Sequence, residues 1–152
     1  ARDRLRWLAE DELAAVSMAI GTGLLTPRLV LAAWPEAAFS AQNLDDALKN
    51  LLGSAAHEPS DKIDLKAPDI AENGAVVPVT VETTLEGATS ISLVAAGNVM
   101  PLVASFELGK GALPFISTRI KMGKTASLIA LVKVGDKVYS ASKEVKVTVG
   151  GC

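Results

Sequence analysis

The sequence has almost none of the residues from which most active sites are built. It contains one cysteine, one histidine and 4% aromatic residues in 152 residues. A single cysteine excludes an intramolecular disulfide and the zinc-finger spacings that need several cysteines. Fifteen lysines and arginines against seventeen acidic residues give a net charge of −2. With no basic excess for a phosphate backbone and few aromatic rings for base stacking, nucleic-acid binding is disfavoured.

Catalytic motifs are also missing. The sequence has no P-loop and no G-x-G-x-x-G, and the glycines of residues 109–111 lack the spacing of a phosphate cradle. The single histidine, His57, lies in a polar stretch without a third group to orient it, so we predict an exposed loop residue rather than a general base. Asp45 and Asp46 are interpreted as carboxylates that stabilise the positive N-terminal end of a helix, rather than as a catalytic pair. These observations predict a protein that is not an enzyme and that holds no metal or cofactor.

The N-terminal region is predicted to be an export signal. An apolar run covers residues 13–33, and three arginines within residues 2–6 precede it. Small residues at its end are those that a signal peptidase accepts, and Pro27 would break the helix of the apolar region. We therefore assign residues 1–32 to an export signal. The alternative is an amphipathic or buried helix that stays on the protein. A permanent membrane span is disfavoured, because Pro27-Arg28 interrupts a stretch that is barely long enough.

Residues 33–60 are predicted to form an N-terminal helical segment and a linker. A helix over 43–52 has one buried stripe at the i, i+3, i+4 spacing, made of Leu44, Ala47, Leu48, Leu51 and Leu52. Asn43 is placed as its N-cap and Gly53 as its left-handed C-terminal residue. Residues 54–60 are interpreted as the linker.

Residues 61–149 are predicted to form a β-sandwich. From Ile63 onward the spacing of apolar residues changes from helical to alternating. The alternation marks short strands over residues 75–85, 90–95, 102–108, 115–122, 127–134, 137–140 and 145–149. Gly135-Asp136 is typical of a two-residue hairpin turn. About seven short strands predict a mainly β fold, an immunoglobulin-like antiparallel β-sandwich with a short N-terminal helix.

The most informative feature is the C-terminal sequence Gly150-Gly151-Cys152. It follows the strand-like run 145–149 and contains the only cysteine. A cysteine in this position cannot be packed into a core, which is the usual fate of a free cysteine. Glycine resists ordering because it has no Cβ, and three residues reach roughly 10 Å when extended. We predict that residues 150–152 form a flexible carrier arm with a reactive thiol on Cys152.

Two segments of the sequence resemble the SoxY family, the sulfur-carrier subunits of the bacterial thiosulfate-oxidising Sox system. Residues 68–79, PDIAENGAVVPV, are similar to the most recognisable internal segment of the family, and the ending VTVGGC is similar to its carrier arm. Two features differ from the family pattern. The arm of the family continues with two glycines after the cysteine, and its precursors carry an adjacent arginine pair where this chain has Arg2-Asp3-Arg4.

The resemblance implies a carrier cycle in the periplasm, reached through a twin-arginine-type signal that here lacks the adjacent pair. Sulfur intermediates would be attached covalently to Cys152, with Gly150 and Gly151 as the flexible arm. The partners implied are a SoxZ-type subunit in a heterodimer, the c-type cytochrome enzyme SoxXA that loads thiosulfate, and the manganese-dependent hydrolase SoxB that releases sulfate. A sulfane dehydrogenase, SoxCD, would act where present. The carrier itself would bind no nucleic acid and, after signal removal, no membrane.

Two other functions remain open at this point. One is a SoxY-like carrier that serves a different pathway. The other is a secreted immunoglobulin-like binding module whose terminal cysteine is incidental. The substitution Cys152→Ser separates them, because only a carrier would lose sulfur loading while its fold and partner binding stayed intact.

Overall fold

The computed structural model describes residues 34–151, so the predicted signal (residues 1–32) and Cys152 lie outside the described residues. From Pro35 onward the described residues belong to one compact unit. This part of the chain contains two helices, α1 (Glu36–Phe39) and α2 (Leu44–Leu52), and nine strands. The strands are β1 (Glu58–Pro59), β2 (Ile63–Lys66), β3 (Ile70–Asn73), β4 (Val77–Thr83), β5 (Ala88–Ala95), β6 (Leu102–Glu107), β7 (Phe115–Ile120), β8 (Ala126–Val134) and β9 (Lys137–Val149).

The strands form two sheets with a core between them. The larger sheet has the order β1-β9-β8-β5-β6, with β3 also paired to β9, and the smaller sheet has the order β2-β4-β7. Val77, Val79 and Val81 of β4 alternate with exposed or half-buried residues, as the sequence predicts, and they pack into the core against Leu93 and Leu128 of the larger sheet. The prediction of a mainly β sandwich with a short N-terminal helix is confirmed. Two strands depart from the antiparallel arrangement, because β1 and β3 run parallel to β9.

The helices cover the outer face of the larger sheet. Leu48 of α2 is buried against Val94 of β5 and Leu131 of β8. Both faces of these strands are therefore covered, which explains why β5 is buried almost continuously rather than in alternation. The predicted helix ends are confirmed, since Asn43 Oδ1 accepts a hydrogen bond from the Asp46 N–H at 2.8 Å and Gly53 has a φ of 81°.

Pairing partners that are distant in the sequence account for the differences from the prediction. Residues 58–59, within the predicted linker, form β1, and a proline is tolerated there because an edge strand leaves one side unpaired. The two segments predicted at 137–140 and 145–149 are one continuous strand, because the polar residues between them still pair with β8. The hairpin at Gly135-Asp136 is confirmed by the Val134–Lys137 pair.

The cap of α2 can be tested by mutation. We expect Asn43→Ala to lower the free energy of unfolding by about 1 kcal/mol, because the N–H of Asp46 loses its acceptor. Asn43→Ser keeps a side-chain oxygen without placing a second carboxylate beside Asp46, whose Oδ2 accepts from Asn43 Nδ2, and it should retain most of the stability. Chemical denaturation of both variants checks this, and an equal loss in the two variants would contradict the capping role.

Candidate functional site at the root of the C-terminal arm

Strand β3 holds the end of β9, from which the arm emerges. The two strands are parallel, with Ile70 opposite Lys146 and Asn73 opposite Val149. The N–H of Gly74, directly after β3, donates to the Val149 carbonyl at 2.7 Å. The last residue of β9 is therefore fixed by a segment much earlier in the chain.

An exposed ion pair aligns the chain as it enters β3. Lys143 Nζ lies 2.9 Å from Asp69 Oδ1 and donates to the Ala67 carbonyl at 2.6 Å. The hydrogen bond from Lys143, together with its positive charge, lowers the pKa of the Asp69 carboxyl. An exposed pair adds little to overall stability. Its effect here is positional, because it joins the start of β3 to β9.

Backbone hydrogen bonds connect the arm root, defined as Gly150 and Gly151, to the core. The carbonyl of Gly74 accepts from the Met122 N–H at 2.7 Å, and the carbonyl of Met122 accepts from the Gly151 N–H at 3.0 Å. Met122 is fully buried. The arm root is thus tied through the backbone to a residue that cannot move without disturbing the sandwich.

Glycine is required at this contact because backbones approach one another closely. A Cβ on Gly74 would overlap the Met122 carbonyl and would lie 2.7 Å from Val147 Cγ1. A Cβ on Gly150 would overlap the carbonyl of Gly123. A Cβ on Gly151 would lie 2.8 Å from the carbonyl oxygen of Gly74. These separations leave no room for a side chain, so the arm root has a packing reason for its glycines.

The structure describes two of the three predicted site residues. Gly150 and Gly151 are half-buried and lie against Gly74, Met122 and Gly123. Cys152, the predicted attachment residue, lies outside the described residues. The flexibility of the arm stays a prediction. The structure shows Gly150 and Gly151 in a packed position.

A groove of about 480 Å³ opens beside the arm root. Its lining includes Val99, Met100, Lys121, Lys124 and Gly151. The two apolar side chains are 77% and 52% exposed. The groove therefore presents two cationic side chains and two apolar side chains directly next to the last described residue of the arm.

His57 is exposed, as predicted, but it has a defined partner. Its Nδ1 lies 2.9 Å from the Ser140 hydroxyl oxygen. Ser140 lies near the start of β9 and the arm follows the end of that strand, about 30 Å away at the rise of an extended chain. His57 is not part of the arm site.

Residues 34–151 contain neither a metal-binding cluster nor a membrane-spanning helix. No group of three His, Cys, Asp or Glu side chains in this range is placed to hold a metal ion. No helix in the same range is long and apolar enough to cross a membrane.

Comparison with known proteins gives the family. The model of the SoxY family, described as "Sulfur oxidation protein SoxY", matches residues 48–152. This chain belongs to the SoxY family. Among solved structures it is similar to the sulfur carrier protein SoxY from Chlorobium limicola f thiosulfatophilum, with 48% identity and a TM-score of 0.64 over 72% of this chain and 100% of that chain.

A second solved structure is only weakly similar to this chain. The human F-spondin reeler domain is 14% identical, with a TM-score of 0.38 over 60% of this chain and 92% of that chain. The curated proteins give no match.

The two SoxY-like segments of the sequence meet in the structure. The internal segment 68–79 supplies β3 and Gly74, and these contact the C-terminal strand and the arm root. Sequence reasoning did not assign a role to Gly74, Met122 or Gly123. The Asn73-Gly74 dipeptide is a turn signal that could have drawn attention to Gly74, whereas nothing in the sequence marks Met122 or Gly123.

The glycine contact can be tested with Gly74→Ala. We expect a loss of about 1–3 kcal/mol in the free energy of unfolding, because the new methyl group overlaps backbone atoms. We also expect faster hydrogen exchange at the Gly151 amide, measured by NMR. Gly109→Ala is the matched control, since a Cβ there meets nothing within 4 Å. Unchanged exchange at Gly151 in Gly74→Ala would contradict the proposed packing.

The ion pair predicts an acid-dependent contact. Because the pKa of Asp69 is lowered below 3.8 in the folded state, its contribution is present above pH 3.8 and is lost as the pH falls through the lowered pKa. An NMR titration of the Asp69 carboxyl carbon should show this lowered pKa, and Lys143→Gln should return it towards 3.8. Lys66→Gln, which removes the partner of Asp64, should leave Asp69 unchanged. An ordinary pKa for Asp69 in the unmodified protein would refute the pairing.

Proposed function

We propose that this protein is a periplasmic covalent sulfur carrier of the Sox system. Its intermediates are held on Cys152, and it acts as a heterodimer with a SoxZ-type subunit. The observation that carries the proposal is the sequence Gly150-Gly151-Cys152, in which Gly151 packs against Gly74 of the SoxY-like internal segment and Gly150 packs against Gly123. The solved SoxY relative from Chlorobium is a sulfur carrier protein by its description, which supports the same role here.

The first step of the cycle is an oxidation that joins thiosulfate to the thiol. The thiolate of Cys152 and thiosulfate form a sulfur–sulfur bond, giving an S-thiosulfonate, and two electrons pass to an acceptor. A SoxXA-type cytochrome is the partner that takes these electrons. The thiolate is the nucleophilic form of a cysteine, so the carrier supplies the attacking sulfur and the partner accepts the electrons.

The second step is a hydrolysis that leaves sulfur on the carrier. Water cleaves the bond between the sulfane sulfur and the sulfonate sulfur. The sulfonate sulfur leaves as sulfate, two protons are released, and the sulfane sulfur stays on Cys152 as a persulfide. A SoxB-type hydrolase performs this step. Where a SoxCD-type dehydrogenase is present, it oxidises the sulfane sulfur of the persulfide to a sulfonate with oxygen from three waters, and six electrons pass to its acceptor before a second hydrolysis. The carrier contributes covalent retention, because an attached intermediate cannot diffuse away between enzymes.

Exposed apolar side chains near the arm support a partner subunit. Ile70, Val76 and Val149 are 60%, 51% and 63% exposed, and all three lie on the segments that form or flank the arm root. Apolar surface that stays open to water favours association. A SoxZ-type subunit that covers part of this surface would lie close to the carrier thiol.

The proposal predicts that Cys152→Ser abolishes sulfur loading and leaves fold and partner binding unchanged. The reduced protein is incubated with thiosulfate, a SoxXA-type enzyme and an oxidised electron acceptor, and intact masses are measured. The unmodified chain should gain the mass of an S-thiosulfonate that a thiol reductant removes. Loading of Cys152→Ser to the same extent would exclude Cys152 as the attachment site.

A further inference from the structure

We infer that the groove beside the arm root is a docking site for the anionic sulfur adduct on Cys152. The inference rests on the proposed carrier function and names where the loaded cysteine is held between enzymes. The occupant is Cys152 with its attached S-thiosulfonate or persulfide group.

The groove is within covalent reach of the adduct. Gly151 itself lines it, and the Cα of the following residue is about 3.8 Å away across a trans peptide bond. The side chain of Cys152 and the attached sulfur atoms extend the reach by several ångströms more. The adduct can therefore occupy the groove while Gly150 and Gly151 keep their packed position.

The positive charge of the groove favours Cys152 that carries an S-thiosulfonate over unmodified Cys152. Lys121 and Lys124 are exposed on its wall, and among the described lining residues none is acidic. An S-thiosulfonate carries a full negative charge on its sulfonate group, whereas a protonated thiol carries none. Lysine ammonium groups attract such a charge without a fixed geometry. Loading therefore favours the docked position.

The groove is held in shape by its own contacts. Asn98 Nδ2 donates to the Lys121 carbonyl at 2.8 Å, and Asn98 Oδ1 accepts from the Gly123 N–H at 2.8 Å. The stem of Lys124 lies over Gly97, where a Cβ would come within 3.0 Å of Lys124 Cγ. Both lysines thus stand on a fixed backbone, and Met100 offers a polarisable apolar surface to the sulfur atoms.

The test uses the full chain loaded chemically, so that no Sox enzyme is needed. The thiolate of Cys152 attacks tetrathionate, forming the S-thiosulfonate and expelling thiosulfate. The adduct is then cleaved by the neutral tris(hydroxypropyl)phosphine. The phosphine is oxidised to its oxide with oxygen from water, and the thiol and thiosulfate are released. The rate of cleavage is followed by intact mass.

The informative variant is Lys121→Gln combined with Lys124→Gln. We expect its adduct to be cleaved roughly two- to tenfold faster than that of the unmodified chain, because two favourable charge contacts are lost. High salt should remove most of the difference. The control combines Lys110→Gln with Lys137→Gln, which removes the same charge elsewhere, and it should keep the original rate. Thermal melting verifies that both variants are folded.

Two results would overturn the inference. One is equal cleavage rates for the lysine variant and the unmodified chain; slower loading of that variant by a SoxXA-type enzyme would then assign the lysines to partner docking. The other is equal acceleration in the control, which would show a general effect of net charge. If the carrier function itself fails, the unmodified chain gains no mass when it is incubated with thiosulfate and a SoxXA-type enzyme. This outcome is measured separately from the cleavage rates.

Discussion

The contact on which the arm site depends is a meeting of backbones, in which Gly74 lies against Gly151 and the carbonyls of Met122 and Gly123 line the same space. Three segments that are distant in the sequence converge there: the turn after β3, the loop after β7 and the end of β9. No side chain fits between them. The parallel pairing of β3 with β9 leads into this contact, and Gly150 and Gly151 leave β9 through it.

Glycine therefore serves two purposes in the arm. Without a Cβ the backbone of Gly150 and Gly151 is thin and conformationally permissive, which suits the proposed carrier. The same absence lets Gly151 pack on Gly74 and bond to Met122. That hydrogen bond contributes about 1 kcal/mol net, so under the proposed carrier function it is weak enough for the arm root to detach when an enzyme binds Cys152. A packed but weakly held root suits a carrier that alternates between rest and presentation.

Local signals predicted much of the fold. The stripe of α2, its Asn43 cap and the Gly135-Asp136 hairpin all arise from neighbouring residues, and each is observed. The pairings of β1 and β3 with β9 were not predicted, because parallel partners far apart in sequence leave no local pattern. The same reason applies to the arm site. The arm itself was predicted from the sequence of residues 150–152. The backbone surfaces against which it packs, at Gly74 and at Met122–Gly123, form only when the chain folds.

The residues that line the groove are a second case that the sequence alone could not predict. Lys121 and Lys124 read as ordinary surface charges in a strand-and-turn sequence, and Val99 and Met100 read as part of a loop. Only the fold brings them next to Gly151. Their position beside Gly151 is the observation on which the inferred docking role rests.

The central claim is that Cys152 carries sulfur, and the most direct measurement is the intact mass of the native protein from cells oxidising thiosulfate, before and after reduction. The account predicts reducible masses of an S-thiosulfonate or a persulfide, located on the C-terminal peptide that contains Cys152. An unmodified thiol under those conditions would contradict it.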